Sequence, residues 1–178
     1  MQENVFLKDC KKLGLEDYMR YGEGGRGNLG EDLPVLVYRL LEYSLREELS
    51  EEFGKEKQTE IFRRAGFRAG TYFACHLLDL ALPFNEFVAQ LQSRLEEQRI
   101  GVLRLEKLDL TVGHITLTVS EDADCSGLPL LGETVCNYDE GFIAGILSSY
   151  TGNHCSAKEV DCWATGDRVC RFEVKIGE

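Results

Sequence analysis

Five of the seven cysteines, Cys125, Cys136, Cys155, Cys162 and Cys170, fall in the last third of the 178-residue chain, whereas Cys10 and Cys75 stand alone. An odd number of thiols in a chain long enough to build its own core, with no export signal at its start, points to reduced cysteines and away from a disulfide framework. Residues 156–164 and 168–176 read as two strands around the turn Thr165-Gly166-Asp167. A three-residue loop there makes Ala164 face Arg168 and puts Cys162 opposite Cys170 on one face. Two thiolates brought together by backbone pairing are half of a zinc site, where each sulfur lies about 2.3 Å from the metal. Candidates for the remaining ligands are Cys136, Cys155, His154, Glu159, Asp161 and Asp167. Strict alternation turns Glu159 and Asp161 away from Cys162 and sets Val160 beside it, so spacing alone leaves the choice open.

The elements that must position these residues follow from periodicity. Residues 5–21 form a short amphipathic stretch and residues 22–30 a Gly-rich loop, so 1–30 reads as an arm and 31–178 as one domain. Asp32 and Pro34 open a helix to about Glu52, with Leu41, Leu45 and Leu49 on one stripe. A second helix is expected over 55–82, in which Gly66 and Gly70 stand one turn apart and favour close packing of another backbone. Pro83 starts a third, carrying Phe84, Phe87, Val88, Leu91 and Leu95. The period then changes to two over 101–109 and 111–120, which read as strands. A loop over 122–132 leads to a helix over 136–150, and the terminal hairpin closes the chain. The order predicts an α+β domain whose antiparallel sheet is covered by helices.

Thirty-one acidic against twenty basic residues give a net charge of −11, which repels a phosphate backbone, and no basic patch is set apart; nucleic acid is not an expected partner. No apolar run reaches the roughly 18 residues of a membrane span, and the first twelve residues alternate charge with apolar groups, so the expectation is a soluble cytoplasmic protein.

The stretch Gly132-Glu-Thr-Val-Cys136-Asn-Tyr-Asp-Glu-Gly141-Phe-Ile-Ala-Gly145, followed by Lys158-Glu159-Val-Asp-Cys162-Trp-Ala-Thr-Gly166-Asp167-Arg-Val-Cys170-Arg-Phe172, resembles the 4-vinyl reductase domain family. That pattern is a Cys ahead of a Gly-containing helix, then Glu-x-x-Cys, Gly-Asp and Cys-x-Phe. The resemblance implies structural zinc ligation by Cys136, Glu159, Cys162 and Cys170, with a bulge near Val160 turning Glu159 towards the metal. Cys155, His154 and Cys125 are then ordinary residues. Three thiolates and one carboxylate leave no open position, the mark of a structural ion.

The same resemblance implies a fold like that of TRAPP trafficking-complex subunits and of the aromatic-hydrocarbon sensor domains of bacterial regulators. It implies a helix-walled apolar cavity, a homodimer through the helical layer, and a signal passed to a downstream protein by contact. Tyr72, Phe73, His76, Phe84, Phe87, Leu91, Leu117 and Trp163 can supply an apolar lining with few polar anchors. The His and Trp that phenol sensors place in the segments matching 84–95 and 115–119 are missing here, so a hydrophobic ligand more apolar than phenol is expected.

Catalysis is not the expectation. His114 lies in a strand with no carboxylate or Cys partner identifiable from spacing. The glycines of 22–30 follow no strand and precede no Gly-Lys-Ser/Thr, so they form neither a phosphate cradle nor a dinucleotide fingerprint. The alternative reading, a reductase or accessory protein acting on tetrapyrrole vinyl groups, requires a redox cofactor.

Overall fold

The computed structural model describes residues 14–19, 30, 32–109 and 111–177. Helix α1 (Leu15–Tyr18) belongs to an amino-terminal unit, Met1–Pro34, and the remaining elements belong to a second unit, Val35–Glu178. Most of the expected 5–21 stretch and of the Gly-rich loop lies outside the described residues, as does Cys10.

The second unit runs α2 (Val35–Phe53), α3 (Lys55–Leu77), α4 (Phe84–Glu97), β1 (Val102–Asp109), β2 (His114–Ser120), α5 (Asn137–Thr151), β3 (Cys155–Asp161) and β4 (Cys170–Ile176). The strands form one antiparallel sheet in the order β1-β2-β4-β3, so the fold is α+β with helices on the sheet. No helix among the described residues is long and apolar enough to cross a membrane.

Helix α5 is the buried centre. Every residue from 139 to 147 is buried, because one face meets the sheet and the other meets α3. The α3–α5 crossing is set by two pairs of glycines. A Cβ at Gly66 would lie 2.0 Å from the Tyr138 carbonyl oxygen, and one at Gly70 would lie 2.0 Å from that of Phe142. From the other side, a Cβ at Gly141 would lie 1.9 Å from the Arg63 oxygen and one at Gly145 would lie 2.3 Å from the Phe67 oxygen. The two backbones touch, so the glycines of α3 serve helix packing. Phe73, Phe87, Leu91, Leu103, Ile115, Leu117, Phe172 and Val174 fill the space between sheet and helices.

Two elements end earlier than periodicity predicts. Helix α3 stops at Leu77, not near Leu82, because Leu78 turns extended and the Asp79 carboxylate accepts the Ala81 N–H at 2.9 Å. The terminal hairpin has no three-residue loop, and Ala164 does not face Arg168. Strand β3 ends at Asp161, after which Trp163–Thr165 form a 3-10 turn in which the Cys162 carbonyl accepts the N–H groups of Thr165 and Asp167, both at 3.1 Å. The Thr165 hydroxyl accepts the Cys162 N–H at 3.2 Å and reinforces the turn. The side chain thereby offers the backbone a local partner that outcompetes the ladder.

Candidate metal centre

Four sulfurs converge from four different backbone settings. Cys125 lies in the loop between β2 and α5, Cys136 directly precedes α5, Cys162 precedes the 3-10 turn, and Cys170 opens β4 opposite Val119 of β2. Each of the four residues is at most 1 % exposed, and their Sγ atoms all lie within 4.8 Å of one another. The Cys136 sulfur stands 3.8 Å from that of Cys162 and 3.7 Å from that of Cys170, while Cys125 and Cys170 approach to 3.1 Å. A tetrahedron with metal–sulfur bonds of about 2.3 Å has sulfur–sulfur edges of about 3.8 Å. The group is thus close to the size of a filled tetrathiolate site, and its shortest separation is well beyond a disulfide bond of about 2.05 Å.

The bulge expected near Val160 is present. Glu159 pairs with Phe172 and Asp161 with Arg171, so the register shifts by one between them. Val160 is displaced outward, where it is exposed, and both Glu159 and Cys162 point inward. Glu159 comes beside the sulfurs without joining their group: its Oε2 accepts the Cys136 N–H at 3.0 Å, and its buried Oε1 has no hydrogen-bond partner.

Glu140 of α5 holds this arrangement. Its side chain is fully buried, pairs with Arg63 of α3 and with Lys158 at 2.8 Å, and accepts the Glu159 N–H at 3.0 Å. Helix α2 holds the Cys125 loop from the other side: Arg39 donates to the carbonyl oxygens of Ala123 and Ser126, both at 2.8 Å, and the Tyr43 hydroxyl donates to that of Asp124 at 3.0 Å.

Among the sulfurs protonation is uneven. Hydrogen bonds from Cys125, then Cys136 and Cys170, hold the Cys162 thiol far below its ordinary value. The Cys125 contact is also the largest influence raising Cys136 and Cys170. Burial, then the neighbouring Cys162, pushes the Glu159 carboxyl up to about 8. Without a cation the pocket sustains one thiolate in preference to several; a divalent cation is the partner that lets all of them ionise. The donor set fits zinc, since soft thiolates in a closed, buried tetrahedral arrangement select it.

Of the other candidates, Cys155 is buried but separate, within 3.6 Å of the Thr151 hydroxyl. His154 is exposed and its ring lies 6.4 Å from that of Phe67, Asp161 pairs with Arg171, and Asp167 accepts the Thr165 hydroxyl. Cys125 is the residue that sequence reasoning sets aside and the structure brings in. Its signal is non-local, because it depends on β2 pairing with β4, which places the loop after β2 next to Cys170.

A narrow crevice of about 30 Å³ lies between α4, the sheet and α5. Of the eight residues expected around a cavity, Leu91 and Leu117 line it. Phe73 and Phe87 are buried in the core and Phe84 packs against it, with the Phe87 ring stacked on Tyr150 at 3.9 Å. Tyr72 and His76 stack on each other at 4.0 Å on the outer side of α3, and Trp163 is exposed, its Nε1 donating to the Leu128 carbonyl oxygen. These last three do not line the crevice.

Residues 115–176 match the 4-vinyl reductase domain. This stretch runs from β2 to the end of β4 and contains Cys125, Cys136, Glu159, Cys162 and Cys170, so the match confirms the resemblance read from the cysteine spacing. An uncharacterized protein of Methanocaldococcus jannaschii, MJ1642, is 25% identical over 148 residues, covering 83% of this chain and 81% of its own length. The phenol-responsive sensory domain of the transcription activator PoxR, solved with phenol, superposes with a TM-score of 0.62 at 18% identity, covering 81% of this chain and 75% of the sensor. Subunit 3 of the trafficking protein particle complex from Naegleria fowleri, covalently bound to palmitic acid, gives 0.63 at 11% identity, covering 81% and 95%. At such identities the two structures establish the fold that the chain shares with the sensor domain and the trafficking subunit.

Proposed function

We propose that the chain is a ligand-sensing domain in which one structural zinc ion ties the terminal hairpin to α5 and to the Cys125 loop. The observation that carries this reading is the convergence of four buried sulfurs at the spacing of a tetrathiolate site. Cys136, Cys162 and Cys170 are common to this geometry and to the ligand set implied by the sequence resemblance; Cys125 stands nearest the fourth position, and Glu159 backs Cys136 through its N–H. Zinc supplies structure here: four thiolates leave no position open for water or substrate. The crevice between α4, the sheet and α5 occupies the place between layers where an apolar molecule can enter, as the phenol-bound sensor and the palmitate-bound subunit of the same fold make reasonable.

Occupancy is read out by protein contact in a homodimer. Helix α2 carries exposed Val35, Leu36, Leu40, Leu41 and Leu45, between 49% and 69% accessible, on a chain with net charge −11. Such an apolar face on an otherwise charged surface calls for a partner, and a second copy of α2 is the self-complementary one.

Native mass spectrometry of the protein purified without chelators tests the reading. One zinc per chain and a retained small molecule, or a mass shift on adding an apolar ligand, is the expected outcome. Protein that carries neither metal nor ligand, and takes up neither, contradicts it.

A further inference from the structure

One end of the crevice is not apolar. Leu91, Leu95, Leu117, Ile146 and Leu147 are among its walls, but Asp122 and Asp139 also line it, and they are 4% and 9% exposed. The Oδ2 atom of each is buried and has no hydrogen-bond partner. Asp122 Oδ1 is used locally, accepting the Asp124 N–H at 2.7 Å.

The cations nearby are engaged elsewhere. Arg46 binds Glu42 at 2.9 Å and Asn137 at 3.1 Å, Arg39 donates to backbone carbonyls of the Cys125 loop, and Asp124 takes the Tyr38 hydroxyl. Leaving carboxylate oxygens buried and unpartnered is costly, and the groups respond. Burial, then Asp124, pushes Asp122 up to about 7, and burial, then Asp122, pushes Asp139 well above its ordinary range.

Building on the ligand-sensing reading, we propose that this crevice takes an apolar amine, its ammonium head seated between Asp122 and Asp139 and its hydrocarbon body against α4 and the sheet. An ammonium brings three donors and one positive charge to two acceptors that lack both. A carboxylate head, in contrast, would meet two acids. The crevice as it stands has the room of a head group. Entry of the body requires α4 to move outward, and α4 meets the remainder of the fold mainly through β1.

A matched series with one six-carbon body tests the head group: hexylamine, 1-hexanol and hexanoate, each titrated into the zinc-loaded protein while the melting temperature and heat of binding are followed. Hexylamine is expected to raise the melting temperature and to bind roughly tenfold more tightly than hexanol, as a charge-assisted hydrogen bond exceeds a neutral one. Hexanoate is expected to leave the protein unchanged. Asp139→Asn, or Asp122→Asn if the first variant does not fold, should bring hexylamine down to the level of hexanol. Equal binding of hexylamine and hexanol, or a preference for hexanoate, overturns the amine while leaving the cavity reading intact. Binding of none of the three overturns the amine, and the sensing reading then stands or falls on the molecule retained in native mass spectrometry.

Discussion

A sulfur at a loop, one at a helix start, one at a turn and one at a strand end have little in common in sequence, yet each is immobilised by backbone bonds before any metal arrives. Cys136 is held through its N–H by Glu159, Cys162 through its carbonyl by the 3-10 turn, Cys170 by the β2–β4 ladder, and the Cys125 loop by Arg39 and Tyr43. Such preorganisation predicts unequal effects of single substitutions. Cys125→Ser is expected to lower zinc affinity and, in the cobalt-substituted protein, to reduce the thiolate charge-transfer intensity by about a quarter, one sulfur of a four-thiolate set. Glu159→Gln should leave that intensity unchanged, and the opposite ranking would make the carboxylate the fourth ligand. Cys155→Ser should leave metal content unaltered. Away from the sulfurs, Glu42 is held up to about 7 by burial and then by Asp124, despite Arg46. Its folded value lies above its unfolded one, so the native state binds the extra proton and this residue's contribution falls as pH rises from about 4.5 through 7. Unfolding free energies at pH 5 and pH 7 should differ less in Glu42→Gln than in the parent protein, by roughly 1–3 kcal/mol.

Among the elements, the α3–α5 crossing and the β3 bulge fix the site. Gly70→Ala would drive a methyl group into the Phe142 carbonyl, and the expected loss is at the upper end of about 1–3 kcal/mol for overpacking, measured by chemical denaturation. An unchanged midpoint would mean that the helices separate freely. Much of this was legible in the sequence: Gly66 and Gly70 marked the contact face, the period change at residue 101 marked the sheet, and the Glu159-to-Cys162 spacing demanded the bulge that is present at Val160. The shortened hairpin was not legible, because the Thr165 hydroxyl stabilises a 3-10 turn that alternation cannot reveal. Cys125 was missed for a related reason, as its neighbours Cys136, Cys162 and Cys170 are reached only through the pairing of strands distant in the chain. Asp122 and Asp139 carried no spacing signal, since their proximity depends on how α5 lies on the sheet.

Taken whole, the unit Val35–Glu178 has a sheet, a central helix and one helix, α2, whose apolar face is largely uncovered. Dimerisation through that face predicts that Leu41→Glu shifts the protein to monomer in sedimentation velocity without changing its metal content; a dimer that persists would move the interface elsewhere. The zinc ion would act at this same scale, because it links the loop after β2, the start of α5, the end of β3 and the start of β4 in one closed group. The most direct test is elemental analysis of the purified protein combined with its melting temperature before and after chelation. The account predicts one zinc per chain and a large drop in melting temperature when it is stripped, with Cys170→Ser behaving like the stripped protein. Protein that contains no zinc, or that melts at the same temperature with and without it, would contradict the account.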